Sequence, residues 1–384
     1  MLHGLTRQAS TVPLAIAGMG AGLLAALAVP RLGLLITPEL VFAGILPGLV
    51  FEAAYHLHWE DLRRSSGPIA FLAVPGVLVS AAIVAAVLAV STGLRPELAF
   101  VVGAMVSATD PAAVVAIFTR LGAPRRLIAI VDAESLLNDG TGLVLFAIAV
   151  RAVGGHVAPA EAVAAFVVIT TASAIAGIVI GVAAAVVIVR LRDHRAQVAV
   201  SIVAAYGAAG AAATLGFSAI IATVVTGVVL GNYGRRMGLQ RTTESAFDTV
   251  WERISTALTV LVFVLVGLAV GSAGLVSAVG PIAWGVLGVL AARAVVVYVL
   301  LGGALRFLRA PGGGPALRGA WLHVLFWAGL RGAVATAAAL SLPLDIPERD
   351  LLQRITFGIV LVTLVGHGST ARWVAQRSGL TVSH

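Results

Sequence analysis

The chain alternates long apolar stretches with short polar breaks along nearly its whole length. Windows of about 20 residues, read between charged residues and Gly/Pro punctuation, place apolar segments near 12–29, 38–57, 68–90, 97–118, 127–150, 161–189, 196–214, 217–232, 253–272, 280–304, 319–342 and 352–370. A backbone in hydrocarbon has no water to bond with, so each segment is expected to close its own N–H···O=C bonds as a helix. The pattern predicts an all-α polytopic membrane protein of about 12 transmembrane helices. Small residues recur through several segments, as in 171–185 and 204–216, and let helix backbones approach closely.

Composition agrees with this and adds an orientation. Hydrophobic residues are 60% of the 384, charged residues only 11%, and the mean hydropathy is +1.05, which excludes an ordinary soluble globule. All 25 basic residues are arginine, and there is no cysteine to form a disulfide, a thiolate metal site or a thiol nucleophile. With a cytoplasmic N-terminus, 18 arginines fall in inner segments and four (Arg31, Arg95, Arg151 and Arg349) in outer ones, while Arg293, Arg331 and Arg354 fall within spans. That asymmetry predicts a multi-pass cell-membrane protein, inner membrane where there are two, with both termini cytoplasmic. The net charge of +8 is spread over short loops, with no basic domain to bind nucleic acid. Residues 1–11 are short and polar and lead into a span, so no cleaved leader is expected.

Three apolar segments carry polar groups at their centres. In the fifth, Glu134, Ser135, Asn138 and Asp139 are spaced to project within an arc of about 140° on a helix. Asp139 lies roughly 18–20 Å along the helix from the arginines at either end, near the bilayer midplane, where transport sites tend to sit. A charge there costs about 2.5–3.5 kcal/mol on insertion scales and marks a functional site by default. The fourth segment contains Ser107, Thr109, Asp110 and Pro111 at similar depth. Proline removes a helical N–H, so a break is expected just before Pro111, freeing carbonyls near residue 107 that could join Thr109 and Asp110 as oxygen ligands for a small cation. A proline kink capped by Thr109 is the plainer alternative. The eleventh segment places Arg331 centrally between Gly329 and Gly332, with Glu134 the expected bidentate partner. Two interrupted helices running in opposite directions point to an inverted-repeat transporter.

Five motifs carry a resemblance: LPGLVFEAA at 46–54, ATDPAAVVAIF at 108–118, ESLLNDGTGLVLF at 134–146, GLRGAVATAAALSLP at 329–343 and TFGIVLVTLVGHG at 356–368. In this order, and over essentially the whole chain, they resemble the monovalent cation:proton antiporters of the NhaP type. The resemblance implies a single transport domain in which a mobile core (about 68–150 and 280–370) moves beside a scaffold that forms a homodimer (about 12–57 and 196–272). Segment 161–189 links the two. It implies two unwound crossing helices and elevator-like alternating access. Asp139 matches the ion-binding and proton-carrying aspartate, Asn138 its amide neighbour, Thr109 and Ser135 ion-coordinating groups, and Asp110 the acid of the unwound helix. Glu134 and Arg331 match a structural ion pair, and Arg293 a supporting arginine. Residues 10–24 resemble the family's second helix, which leaves twelve spans where thirteen are usual. His367 stands where the family generally has glutamine; it reads as a hydrogen-bonding substitute for the amide or a group that tunes the pH response. Glu52 reads equally as a cavity carboxylate or a helix-pairing group, and His56 and His58 as interfacial.

These readings predict a secondary active transporter, not an enzyme, with no cofactor. It would exchange Na+, or alternatively Li+ or K+, for H+ by competition at Asp139. Asn138 is neutral and Glu134 is occupied, so each crossing would carry one charge of either kind, giving electroneutral one-for-one exchange. Competing classes are a cation channel or non-transporting homologue, and an intramembrane aspartyl hydrolase using Asp110 and Asp139 as a dyad.

Overall fold

Of the computed structural model we describe residues 17–29, 37, 39–120, 122–155, 157–236, 241–272, 274–303 and 319–377. The absence of a cleaved leader over 1–11 and the inner-loop arginines Arg306, Arg309 and Arg318 lie outside these residues. Among them the secondary structure is helical throughout, and each of the twelve expected segments falls on helix. The elements are α1 (Ala17–Ala28), α2 (Leu46–His56, preceded by a π-helical turn, Leu40–Ile45), α3 (Trp59–Arg64), α4 (Ser66–Ala73), α5 (Pro75–Thr92), α6 (Pro96–Met105) and α7 (Ala112–Arg120). They continue with α8 (Arg125–Val153), α9 (Pro159–Arg190), α10 (His194–Thr214), α11 (Ala219–Arg236), α12 (Arg241–Ser272) and α13 (Val279–Ala294, continued by a π-helical Val295–Leu301). The last three are α14 (Gly319–Trp327), α15 (Ala333–Leu340) and α16 (Arg349–Arg377).

Local chemistry sets the helix ends. Prolines open α5, α6 and α9 in the first turn, where their missing N–H has no helical partner to lose. Asp193 caps α10 by accepting from the backbone N–H of Arg195 and Ala196 at 3.2 and 3.3 Å. Gly93, in the left-handed region at φ 73°, stops α5. The two predicted interruptions are present and wider than expected. The chain leaves helix after Met105 and resumes at Ala112, and it leaves again after Trp327 and resumes at Ala333.

Packing places α8 against α4, α6 and α7, with α5, α6, α13 and α16 forming a connected layer around the interruptions. A separate apolar cluster joins Phe51 and Tyr55 of α2, Ala184 and Ile188 of α9, and Phe247 and Trp251 of α12, with α11 packed between α2 and α9. The larger cluster runs from α4–α8 through α13–α16 and reaches Leu46 of α2 and Val266 of α12. α9 leaves Val163, Val167, Ile175 and Val179 exposed, as suits a helix facing lipid. Helices approach to backbone contact at glycines. A side chain at Gly103 of α6 would overlap the Ala81 carbonyl of α5, and one at Gly267 of α12 the Met19 carbonyl of α1. Gly103 lies two residues before the first interruption, so this contact fixes where α6 stops relative to α5. Gly103→Ala is expected to lower the melting temperature in detergent by the equivalent of about 1–3 kcal/mol. Gly207→Ala, on an open face of α10 with nothing near the added methyl, is the control; equal melting temperatures would show that the α5–α6 contact yields without strain.

Candidate functional site

The helical repeat of α8 sorts its polar residues into two stripes. Glu134 and Asn138 lie on one and keep 1% exposure each; Ser135 and Asp139 lie about 100° around the helix and keep 9% each. Both stripes meet the loop between α6 and α7, but they do different things there.

Thr109, midway through that loop, is held to α8 by three hydrogen bonds. Asn138 Nδ2 donates to Thr109 Oγ1 at 2.7 Å, Thr109 N donates to Asn138 Oδ1 at 3.2 Å, and Ser135 Oγ donates to the Thr109 carbonyl at 2.7 Å. The amide therefore satisfies one donor and one acceptor of the same residue, a match that leucine could not make and that fixes the broken turn on the helix. Gly142, one turn further along, leaves room for Ser107 and Ala108 of that turn. Asp139 sits amid these satisfied groups and makes no hydrogen bond or ion pair with the described residues. Ser135 lies one turn before Asp139 on α8 and bonds the same Thr109 that Asn138 holds, and the Ser135 and Thr109 hydroxyl oxygens retain lone pairs of the kind a small hard cation takes. Among the described residues no three His, Asp or Glu side chains cluster as a metal site.

The expected Glu134–Arg331 pair is replaced by another. Glu134 is held by Arg293 of α13, with Nη1 to Oε1 at 2.5 Å and Nη2 to Oε2 at 3.1 Å, both side chains buried. Arg293 also donates from Nε and Nη2 to the Leu325 carbonyl near the end of α14, at 3.0 and 2.5 Å. Gly329 makes this possible, because a side chain there would collide with Arg293. A void of about 10 Å³ beside the pair, lined by Ser80, Ser107, Asn138 and Arg331 among others, has room for about one water. The pair is thus structural, and the arginine given a supporting role is its cationic half.

Arg331 instead serves the interrupted backbone. Its Nε donates to the Val106 carbonyl at 2.5 Å and its Nη1 to the Gly329 carbonyl, while its own N–H donates to Thr363 Oγ1 of α16 at 3.2 Å. Val106 and Gly329 follow the C-terminal ends of α6 and α14, the negative ends of both helix dipoles, so one cation compensates both. Asp110 takes the mirror role. Its N–H donates to the Leu330 carbonyl at 2.9 Å, and its Oδ2 accepts from the Ala333 N–H at 3.4 Å, which places a carboxylate at the positive start of α15 and two residues before α7. Only glycine fits at 332, since a side chain would occupy the Asp110 carboxylate. Pro111 ends the loop ahead of α7, and the Val106 and Thr109 carbonyls on either side of residue 107 accept protein donors instead of remaining free.

The remaining candidates lie apart from this cluster. Glu52 Oε1 is 3.4 Å from His56 Nδ1 one turn along α2, and His56 Nε2 meets Asp248 of α12 at 3.2 Å, a helix-pairing arrangement. His367 is buried against the rings of Trp327 and Phe326, and its Nδ1 has no hydrogen-bond partner among the described residues, so it does not act there as the amide's hydrogen-bonding substitute. Asp132 was not anticipated, although its spacing of three and seven from Ser135 and Asp139 places it on their stripe.

Three comparisons bear on what this arrangement is. The model of the transmembrane sodium/hydrogen exchanger family matches residues 1–377. The low-affinity Na+/H+ antiporter NhaS1 of Synechocystis sp. is 34% identical over 348 residues, covering 89% of this chain and 65% of that protein. The Na+/H+ antiporter NhaP of Pseudomonas aeruginosa is 36% identical over 353 residues, covering 86% of this chain and 79% of that protein. The chain thus spans just under two thirds of the first relative's length. The structure of the sodium proton antiporter MjNhaP1 from Methanocaldococcus jannaschii shares the fold, with a TM-score of 0.74 over 97% of this chain and all of that one at 18% identity.

The ion-pair geometry has a measurable consequence. Arg293→Leu leaves Glu134 buried and unpaired and is expected to cost about 3–5 kcal/mol, whereas Arg293→Leu with Glu134→Leu removes both charges and recovers most of that loss. Melting temperatures of the two variants and the parent decide it: a double variant as unstable as the single one would mean that the two groups do not depend on each other.

Proposed function

The chain belongs to the sodium/hydrogen exchanger family, and from that premise we propose that it exchanges Na+ for H+ across the membrane, with Asp139 carrying one or the other. The observation that carries the reading is a satisfied shell around one unsatisfied group. Thr109, Ser135 and Asn138 bind one another, Glu134 is neutralised by Arg293, and Asp110 and Arg331 are committed to helix ends. Of the carboxyl groups at the crossing of the two interrupted helices, Asp139 is the one without a partner among the described residues. A proton or a sodium ion can neutralise it, but not both together, and competition for that single position couples the two fluxes without any further device. The protein is a secondary transporter, with the ions as cargo and no cofactor in the cycle.

Sodium would be held by the Asp139 carboxylate, Ser135 Oγ and Thr109 Oγ1. One carboxylate carries one positive charge in either direction, so the exchange is electroneutral and one-for-one. The movement that exposes the site to each side is assigned to the body built on α4–α8 and α13–α16, sliding against α1, α2 and α10–α12 with α9 as the link. An apolar cavity of about 490 Å³ between α8 (Ala133, Leu137) and α9 and α11 (Ile178, Val224, Val228) supports such a boundary, because the helix bearing the site is not tightly packed there. The scaffold side would form the homodimer, with both termini in the cytoplasm as the arginine distribution requires.

Asp139→Asn is expected to abolish sodium-driven proton flux in proteoliposomes while leaving the melting temperature near that of the parent; sustained flux in that variant would place the exchange at another group. With membrane potential clamped by potassium and valinomycin, the exchange rate should not respond to voltage. A rate that follows the potential would show a stoichiometry other than one-for-one. Cation flow without counter-moving protons is the result a channel would give, and the Ala333 amide at the Asp110 carboxylate gives no support to an aspartyl dyad.

A further inference from the structure

The apolar cavity of about 490 Å³ beside α8 lies away from the exchange position. Ala133 and Leu137, which line it, point about 120–160° around the helix from Asp139. Its other walls are α9 at Ile178 and Val182 and α11 from Val224 to Tyr233, and Trp59 of α3 stands at one end. The polar groups of the wall gather at that end. Asn232 Oδ1 accepts from the Trp59 N–H at 2.8 Å, and Asn232 Nδ2 donates to the Leu57 and Val228 carbonyls at 2.8 Å each, so the side-chain amide is spent on joining α11 to the α2–α3 corner. Beyond this end the wall is alanine, valine, leucine and isoleucine only. Such a wall offers water no partners, and a void of this size forfeits the contacts of every side chain that faces it.

Length, access and charge identify the occupant. Val224 and Tyr233 are nine residues apart on α11, about 14 Å, which is the depth of one leaflet of a hydrocarbon core about 30 Å thick. Ile178 both lines the cavity and stays exposed beside Ile175 and Val179 on the lipid-facing side of α9, so that wall borders the bilayer. Trp59 and Tyr233 are exposed at the polar end, as aromatic side chains are at a membrane interface. The same end is basic. α3 closes on Arg63 and Arg64, both exposed, and α8 begins on Arg125 and Arg126 next to it, Arg126 Nε donating to Ser65 Oγ at 3.2 Å; the acids there are Glu60 and Asp61 of α3. A basic rim at the interface attracts anionic headgroups. We propose that this cavity binds one acyl chain of an anionic phospholipid, with the lipid phosphate at the arginine-bearing end beside Trp59 and Tyr233. The site concerns binding alone and does not depend on Asp139 as the exchange position.

The test is lipid titration of the full chain, delipidated in detergent, with the rise in melting temperature as the readout. Dioleoylphosphatidylglycerol is expected to raise it most, dioleoylphosphatidylcholine less, and dihexanoylphosphatidylglycerol, which carries the same headgroup on short chains, not at all. Val182→Phe and Ile178→Trp fill the cavity from the lipid-facing helix and should each remove most of the rise with the dioleoyl lipids. Arg63→Gln with Arg64→Gln leaves the cavity open and should weaken phosphatidylglycerol binding about five- to thirtyfold with phosphatidylcholine binding unchanged. A short-chain lipid as effective as the long one, an undiminished rise in the filled variants, or equal response to the two headgroups would overturn the proposal. So would oleate binding as tightly as the phospholipid, which would give the site to a free fatty acid. Should neither filled variant fold, the chain-length and headgroup comparisons on the parent decide alone.

Discussion

Two apolar segments lose their helix part-way along, after Met105 and after Trp327, and the rest of the site follows from how the helix ends are satisfied. A helix terminus exposes several unpaired backbone groups, and an unpaired polar group in hydrocarbon costs several kcal/mol. Here α6 and α14 end on carbonyls at the crossing, while α7 and α15 leave it beginning on amides. Arg331 sits between the two carbonyl ends and Asp110 serves the amide ends, and the Asp110–Leu330 backbone bond ties the interruptions together. One residue of each sign balances four dipole ends. The glycines of the second interruption make that possible sterically, Gly332 by yielding space to Asp110 and Gly329 by yielding space to Arg293.

Charge balance at the crossing then leaves Asp139 over among the described residues. Glu134 and Arg293 cancel in a closed interior, the crossing residues cancel against helix ends, and Asn138 and Ser135 are used in holding Thr109. A carboxylate with nothing to neutralise it at that depth must take a proton or a cation from water. Geometry also separates the two tasks of α8. The face bearing Glu134 and Asn138 is sealed, at 1% exposure each, while Ser135 and Asp139 on the neighbouring face keep 9% and Asp132 is half-buried. A rotation of about 100° per residue is enough to place the ion-paired carboxylate and the unpaired one on neighbouring sides of one helix.

Membrane spans were legible in the chain because apolar length is a direct response to bilayer thickness, and the interruptions were legible because proline and paired glycines act on the backbone itself. The four polar positions on α8 were likewise readable from helical periodicity. Their partners were not. Arg293 and Arg331 are each a single arginine in the middle of a span, and nothing in local spacing says which one reaches a carboxylate more than 150 residues away. The motif around Arg331 drew attention to that residue, yet the carbonyls it satisfies appear only once α6 and α14 end beside each other. The register of Asp132 with Asp139 is visible in the sequence, but its half-buried setting is a property of the surrounding helices.

What the sequence determined by itself is the set of local responses: helices where the chain is apolar, breaks where the backbone cannot continue, and one polar face on α8. These depend on interactions within a few residues of each other. Tertiary structure decided which charge meets which, because a buried ion finds its partner by distance and exposed lone pairs, and both are set by elements far apart in the chain. Only the assembled bundle distinguishes the carboxylate that is held from the one that is left free.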